Sequence, residues 1–396
     1  MQLRTTPFHP RTSALVHGYA WRRWAGYVAA SSYELSHERE YAAIRSSAAL
    51  FDVTPLYKYH VRGPDAMRLI DRVVTRDISR CKVGQVMYTP WCDEAGKVID
   101  DGTVSRLDEQ WFRLTAADPN LRWLHENAFG LRVTIEDVSD RIAALSLQGP
   151  TARDILTQMT DACVERLRFF RVVAAELCGI PVTISRTGYT GDLGYELWVD
   201  NARALALWDA LVTTGAPYGL QPAGLFALDI ARIEAGLILL DVDYVSARRA
   251  LIEMQKSSPF ELNLGWTVAL DKAPFVGQRA LRAEQEVGPA WRLVGLEVEW
   301  ESLERLYESV GLPARPPSTA WRTSVPVYAG GRQVGYATSG TWSPLLKQYI
   351  ALAHLEAEHA GPESVLEMEI TVEHRRRRAR ARVRQIPFFD PERKKQ

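Results

Sequence analysis

The amino-acid sequence predicts an α+β protein whose mixed N-terminal body is followed by a smaller, all-β C-terminal domain. Up to about residue 285, strand-like runs alternate with segments whose apolar residues recur at helical spacing. From about residue 290 the pattern changes, because short apolar strands such as WRLVGLEVEW follow one another between glycine turns. With 396 residues, the chain is long enough to form more than one hydrophobic core. We therefore expect a division into residues 1–285 and residues 286–396.

The first part of the N-terminal body predicts helices and strands in alternation. Residues 40–56 predict a helix that stops at an apolar turn, and YKYHVRG then predicts a strand. The next helix is expected from Pro64, because the fixed backbone of proline suits a first helical turn. Residues 87–107 contain two strand-like runs around the turn DEAG.

A second unit begins at IAALSLQGPTARDIL, which repeats the order strand, Gly-Pro turn and helix found in VRGPDAMRLI. We treat this as a weak internal repeat. PVTISRTGYTGDLGYELWV then predicts a hairpin, and residues 225–237 predict a helix with one apolar face. Near the C-terminus, residues 302–321 predict a helical or irregular insertion. EHRRRRARARVR predicts a hairpin with an arginine-rich turn.

The composition excludes several classes of protein. Lysine plus arginine equals aspartate plus glutamate at 48 each, so no net field attracts nucleic acid or acidic lipid. No run of about 18 apolar residues predicts a membrane span. The four cysteines have no CxxC spacing, and no histidine motif suggests a metal site. We expect a cytoplasmic protein without metal, nucleic-acid or membrane binding.

The hairpin carries glycine at positions 188, 191 and 194, followed at once by Glu196. A phosphate loop would need a lysine and a following helix, and a dinucleotide loop would need a different glycine spacing, so neither is predicted. Glu196 and Trp198 share one face of the strand. A carboxylate beside an indole suits a flat heterocycle with adjacent N–H donors, whereas the simpler alternative is a surface glutamate. The glycines would then let the hairpin approach this flat ligand closely.

Two further carboxylate-containing segments are candidates for chemistry. In VIDD the adjacent aspartates Asp100 and Asp101 must point to opposite faces of a strand, so one of them is expected to face inward. A partly buried carboxylate can relay a proton, although the pair could instead mark a strand end where Asp101 caps a turn. Arg232 could hold an anionic substrate, or it could pair with Asp229 one helical turn earlier.

Taken together, several stretches resemble the aminomethyltransferase (T-protein) family of the glycine cleavage system and its folate-dependent demethylase relatives. They follow the family's order over nearly the whole chain: SAALFDVTPLYKYHVRGPDA, VIDD, ALSLQGPTARDIL, RTGYTGDLGYELWV, ARIEAGL, LNLGWTVAL with FVGQRAL, and TSGTWSPLLKQYIALA. The resemblance implies a three-domain cloverleaf, with two α+β folate-binding domains in residues 1–285 and a C-terminal β-barrel in residues 286–396. Tetrahydrofolate is the implied cofactor.

The resemblance also implies roles for individual residues. Asp100 is expected to lie near the reacting N5 of the folate and to be catalytic, and Arg232 to line the substrate side. The residues expected to contact the cofactor are Glu196, which grips the pterin ring, with Tyr88, Tyr189, Trp198 and Asp100. The residues expected to shape the donor pocket with Arg232 are Tyr57, Tyr59 and Trp24, the last from the aromatic cluster at 19–27.

Some features differ from glycine-cleavage enzymes. The chain has FDVTPLYKY instead of FDVSHMG, a long segment after EAG, and the insertion at 302–321. We therefore predict a demethylase that moves a methyl group from a small methylated donor to N5 of tetrahydrofolate. The alternatives are aminomethyl transfer in glycine cleavage, which would require a lipoyl carrier protein, a non-catalytic folate-binding module, and an oxidase fragment with its flavin domain elsewhere.

Overall fold

The computed structural model describes residues 3–396 and contains three bodies: an antiparallel sheet and a mixed sheet, both covered by helices, and one closed barrel. A separate two-stranded sheet lies near the N-terminus. This architecture confirms the predicted α+β class with a C-terminal barrel. Within residues 3–396, no helix is both long enough and apolar enough to cross a membrane.

The helices begin and end at the following residues: α1 His9–Leu15, α2 Glu38–Ser46, α3 Ala66–Val73, α4 Leu121–Asn127, α5 Ala152–Thr157, α6 Ala204–Gly215, α7 Leu225–Glu234, α8 Gln278–Val287 and α9 Trp300–Glu308. The strands are β1 Trp21–Trp24, β2 Tyr27–Ala30, β3 Ala48–Asp52, β4 Tyr57–Arg62, β5 Gln85–Cys92, β6 Val98–Asp108, β7 Trp111–Ala116, β8 Thr134–Asp137, β9 Ile142–Gln148, β10 Val172–Leu177, β11 Ile180–Ser185, β12 Gly194–Asp200, β13 Leu220–Pro222, β14 Trp291–Val298, β15 Val325–Ala329, β16 Arg332–Ser343, β17 Gln348–Glu356, β18 Val365–Val372 and β19 Arg375–Arg384.

The first body is a five-stranded sheet in the order β5-β6-β7-β4-β8. Its inner face packs on α3 and α4, with Leu69, Phe112 and Leu114 fully buried in one hydrophobic cluster. Because successive strand residues point to opposite faces, Arg113 between Phe112 and Leu114 points away from these helices. That second face of the sheet is turned toward the second body.

The second body is a six-stranded sheet in the order β10-β11-β12-β9-β3-β13. Helices α5 and α6 pack on one face, together with the strand residues Tyr195 and Leu197. Helices α2 and α7 pack on the other face, where Trp198 is buried. The alternation along β12 therefore directs Glu196 and Trp198 to the face that carries α7.

The third body is a closed barrel in which β14 pairs with both β17 and β19. The hairpin predicted near the C-terminus is present as β18 and β19, but the expectation that its turn is arginine-rich is wrong. The turn is made by Glu373 and His374, both with positive φ, and the arginines lie along β19. There they face acidic residues of β18, as in the pair of Arg376 with Glu369 at 3.6 Å, because an exposed strand face favours cross-strand charge pairs.

The helix predicted over residues 40–56 is also wrong in its second half. Helix α2 ends at Ser46, and AALFD forms β3, which pairs with β9 and β13. A short apolar run cannot be assigned to helix or strand by periodicity alone. Here the two neighbouring strands supply the backbone partners that decide the outcome.

The two Gly-Pro turns of the suspected repeat have matching geometry. Gly63 has φ +126° and Gly149 has φ +129°, a region that favours glycine. A Cβ on either glycine would lie 2.5 Å from a carbonyl oxygen, that of Arg132 for Gly63 and that of Ser47 for Gly149. Each turn connects an inner strand of a sheet to the helix that follows it: Gly63 lies between β4 and α3, and Gly149 lies between β9 and α5.

Candidate functional site

Asp101 lies where the first sheet meets the segment that follows α7. Its Oδ2 accepts a hydrogen bond of 2.8 Å from the Tyr88 hydroxyl on β5, and its Oδ1 accepts one from the Tyr244 hydroxyl. Burial raises the pKa of Asp101, whereas the two phenols, Tyr244 first, lower it because they stabilise the charged form. The result is a carboxylate held at both oxygens.

Asp100 points to the other side of β6 and is fully buried. Its oxygens accept hydrogen bonds from the backbone N–H of Asp101 at 2.8 Å, the backbone N–H of Asp118 at 2.9 Å and Nδ2 of Asn120 at 2.9 Å. Burial raises the pKa of Asp100 well above its usual value, and the charge of Asp101 adds to this. Asp101, not Asp100, therefore contacts Tyr88, and the catalytic role of Asp100 stays a prediction.

Arg232 lies on α7 with no solvent exposure. Its Nη1 donates to Oδ2 of Asp243 at 2.5 Å, and its Nε lies 3.7 Å from Oδ1 of Asp229. Within the described residues 3–396, neither Nε nor Nη2 has a hydrogen-bond partner. The pairing with Asp229, one of the two alternatives considered from the sequence, is thus present, whereas the role of Arg232 in holding a substrate stays a prediction.

Barrel strand β16 closes this part of the site. Thr338 and Ser339 donate to Oδ1 of Asp243 at 2.6 and 2.7 Å, so the barrel fixes the carboxylate that in turn fixes Arg232. The Tyr189 hydroxyl donates to the carbonyl of Ile238 in the same segment. Burial raises the pKa of Tyr189, and the positive charge of Arg232 lowers it.

Glu196 lies on β12 of the second sheet, facing the first sheet. Its Oε2 accepts a hydrogen bond of 2.5 Å from the Thr187 hydroxyl. Burial raises the pKa of Glu196, whereas Thr187 and the positive charge of Arg113 lower it. The guanidinium of Arg113 lies 4.3 Å from the ring centre of Trp198, so the two sheets meet at this contact. Burial in turn lowers the pKa of Arg113 to about 10, and it remains charged at neutral pH.

The glycines of the hairpin enclose a side chain of the protein itself. A Cβ on Gly188 or Gly194 would lie 2.1 Å from Oε1 of Gln148, which is fully buried. Gln148 is fixed there by hydrogen bonds with Ser146 at 2.9 Å and Thr190 at 2.8 Å. Two of the three glycines are therefore required by this amide, which differs from the close approach to a ligand that the sequence suggested.

The third glycine has a different reason. Gly191 has φ +72°, and a Cβ there would lie 2.4 Å from Cβ of Ala235 at the end of α7. The same loop carries Asp192, which binds Arg393 of the C-terminal segment through two hydrogen bonds of 2.6 and 2.7 Å. The hairpin loop is thus packed against both α7 and the chain end.

The residues expected at the donor pocket lie in separate places. Tyr57 and Tyr59 belong to the hydrophobic cluster of the first sheet, and the Tyr59 hydroxyl accepts a hydrogen bond of 2.8 Å from the backbone N–H of Asn120. Trp24 packs in the cluster around α2 and α7 and lines a small cavity of about 20 Å³. Tyr88 belongs to a third cluster. The pocket role of the first three residues stays a prediction.

Sequence reasoning missed Tyr244, Asp243 and Thr187. The first two lie in the irregular segment LDVDYV, which has no periodicity from which orientation can be inferred. Thr187 directly precedes the first glycine of the hairpin. It lies near Glu196 because Ser185, two residues earlier, pairs with Glu196 across the hairpin.

The chain matches two family models, the GCVT N-terminal domain over residues 9–272 and the glycine cleavage T-protein C-terminal barrel domain over residues 308–390. A Halothermothrix orenii protein named aminomethyltransferase is 34% identical over 356 residues, covering 88% of this chain and 90% of its own length. A Bacillus pumilus protein of the same name is 34% identical over 395 residues, covering 98% and 99%. The crystal structure of glycine cleavage system aminomethyltransferase T from Bartonella henselae has the same fold, with a TM-score of 0.82 at 24% identity over 98% of this chain and 99% of that one.

Proposed function

The chain belongs to the glycine cleavage T-protein family, and on that premise we propose that it is an aminomethyltransferase. It is a tetrahydrofolate-dependent one-carbon transferase, and the proposed donor is an aminomethyl group carried by a lipoyl protein. The observation that carries this proposal is the near full-length similarity to relatives named aminomethyltransferase.

This proposal replaces the methyl-donor hypothesis favoured by the sequence. The names of the relatives support the aminomethyl alternative and lend no specific support to demethylation. The long segment after EAG, which argued against glycine cleavage, begins by supplying Asp243 and Tyr244 to the candidate site. Its strongly exposed residues Leu251 and Met254 lie further along the chain.

The buried polar atoms of the site fit a tetrahydrofolate ligand. Two nitrogens of Arg232 have no partner within residues 3–396, and buried donors of this kind normally have one. We propose that Glu196 and Trp198 hold the pterin ring, with Tyr88, Tyr189 and Arg232 lining the reacting side. Tetrahydrofolate, when bound, supplies a nucleophilic ring nitrogen that accepts the one-carbon unit.

We further propose that Asp101 is the carboxylate that handles the proton. The Tyr88 and Tyr244 hydroxyls orient its two oxygens, and the carboxylate is partly buried between them. Asp100 then acts as a positioning residue, because it accepts the backbone N–H of Asp101 and joins β6 to the turn at Asp118.

The experiment that tests the function offers the protein tetrahydrofolate with either an aminomethyl-loaded lipoyl carrier protein or a panel of small methylated compounds. Mass spectrometry of the folate pool distinguishes the products. Formation of 5,10-methylene-tetrahydrofolate and ammonia only with the carrier supports the proposal. Formation of 5-methyltetrahydrofolate from a methylated compound without carrier would establish demethylation instead. If the protein binds tetrahydrofolate but turns over neither donor, it is a non-catalytic folate-binding module.

A further inference from the structure

Arg113 is a buried cation whose side chain makes no hydrogen bond to any residue of the described range 3–396. It is 2% exposed in the middle of β7, and neither its Nε nor its Nη2 has a hydrogen-bond partner in the part of the chain that the structure describes. Its close contact is the face of Trp198, with the guanidinium carbon 4.3 Å from the ring centre. A buried charge that lacks hydrogen bonds is costly, so its retention requires an explanation.

Other buried arginines of the chain differ from Arg113 in this respect. Arg106 on the adjacent strand donates to the carbonyl of Cys81 at 2.9 Å, and Arg186 donates to the carbonyl of Leu167 at 2.8 Å. In both residues, a backbone carbonyl thus accepts a hydrogen bond from one of the guanidinium N–H groups. Arg113 has neighbours on β4 and β6, namely His60 and Ser105 in register, yet no hydrogen bond joins it to them among the described residues.

The free atoms of Arg113 form one edge of the guanidinium. Nε and the adjacent Nη2 are the pair that binds planar acceptors side by side, as Arg393 does with Asp192. Glu196 lies two residues before Trp198 on the same face of β12, and Arg113 contacts Trp198, yet no ion pair within 4.0 Å joins Glu196 to Arg113 among residues 3–396. The two sheets therefore present an acceptor, Glu196, and an unused donor edge, Arg113, next to each other.

This combination suits a flat ring that carries N–H donors beside a carbonyl oxygen. In a pterin, the 2-amino group and the N3–H are donors, and the 4-carbonyl oxygen next to N3 is an acceptor. We propose that Arg113 donates its free edge to the 4-carbonyl oxygen of the pterin whose N–H groups bind Glu196. This inference rests on the proposed function. It makes Arg113 a specificity-determining residue, because in a 4-amino pterin the N–H groups of the 4-amino substituent would face the N–H groups of Arg113.

The test measures dissociation constants by isothermal titration calorimetry for tetrahydrofolate and for its 4-amino analogue, tetrahydroaminopterin. We expect the unaltered protein to prefer tetrahydrofolate by about 10- to 100-fold, as for hydrogen bonds to a charged group. Arg113→Met should weaken tetrahydrofolate binding by about 10-fold or more and should reduce the preference by the same factor. The preference that remains comes from Glu196, because the 4-amino analogue lacks the N3–H donor. The matched control, Arg106→Met, removes a buried arginine from the opposite face of the same sheet and should keep the preference.

Equal losses for both ligands in Arg113→Met would overturn the inference, because they would indicate a general packing effect. If that variant does not fold, the same two dissociation constants are measured for Arg113→Lys and compared with those of the unaltered protein. A lysine, with a single point charge, should retain only part of the preference. An unaltered protein that binds tetrahydrofolate without preference overturns the role of Arg113 alone, whereas one that does not bind tetrahydrofolate overturns the proposed function.

Discussion

Tyr244 donates its phenolic hydrogen bond to Oδ1 of Asp101, although 143 residues separate the two in the chain. The other oxygen of Asp101 accepts from Tyr88, which lies on the neighbouring strand of the same sheet. One partner is thus local to the first body, and the other comes from the segment between α7 and the barrel. This arrangement makes the orientation of Asp101 depend on the assembly of the three bodies.

Removing the Tyr244 hydroxyl should shift the pH dependence of turnover. The phenol stabilises the ionised form of Asp101, so Tyr244→Phe raises the pKa of Asp101 further above its usual value. If Asp101 works as the ionised base, activity is lost as pH falls through that pKa. The acid limb of the kcat profile should therefore move to higher pH. Tyr307→Phe, a tyrosine that binds the carbonyl of Arg315 instead, should leave the limb in place. An unmoved limb in Tyr244→Phe would contradict the role of Asp101.

The two adjacent aspartates should respond differently to the same substitution. Asp101→Asn should lower kcat by about 100-fold or more while folate affinity changes little, because it removes a proton-transfer group. The effect is measured by single-turnover kinetics and by calorimetric titration with tetrahydrofolate.

Asp100→Asn should act mainly on stability. An amide at this position turns an NH₂ group toward N–H donors, so it leaves buried groups unpaired at a cost of about 1–3 kcal/mol in the free energy of unfolding. Urea denaturation measures this loss. A large fall in kcat with unchanged stability would instead make Asp100 the catalytic residue, as the sequence hypothesis had it.

Glu196→Gln should weaken tetrahydrofolate binding by about 10- to 100-fold, because a charged acceptor is replaced by a neutral one that also carries donors. Since Thr187 is the only hydrogen-bond partner of the Glu196 side chain found within residues 3–396, the melting temperature should change little. Glu176→Gln, on the exposed strand β10, is the matched control. Unchanged affinity in Glu196→Gln would remove this residue from the proposed pterin site.

The glycines of the hairpin can be tested without any ligand. Gly194→Ala places a Cβ 2.1 Å from Oε1 of Gln148, whose side chain is held by hydrogen bonds and cannot move away freely. We expect a loss of about 1–3 kcal/mol in the free energy of unfolding, typical of an overpacked core. In Gly18→Ala the nearest atom would lie 3.8 Å from the new Cβ, so this control should be nearly neutral. Equal stabilities in urea denaturation would refute the packing explanation.

Much of the fold follows from local pattern. The hairpin of β11 and β12, helix α7 and the succession of barrel strands were predicted from apolar spacing and turn residues. The structure contains all of them. The pattern failed at Ala48–Asp52, where a short apolar run became a strand through pairing with β9 and β13. It also misplaced the turn between β18 and β19: the hairpin was predicted, but its turn is formed by Glu373 and His374, and the arginines lie in the strand.

The sequence by itself determined the order of the elements, the family to which the chain belongs and the chemical types available at the site. It also determined that Asp100 and Asp101 lie on opposite faces, because side chains alternate along a strand. Only the tertiary structure decided which face meets Tyr88 and Tyr244, and that Arg113 is opposed to Trp198 and lies near Glu196. The physical reason is that alternation separates two faces but does not identify the element that covers each one. That choice is made when the sheets, α7 and the barrel pack together.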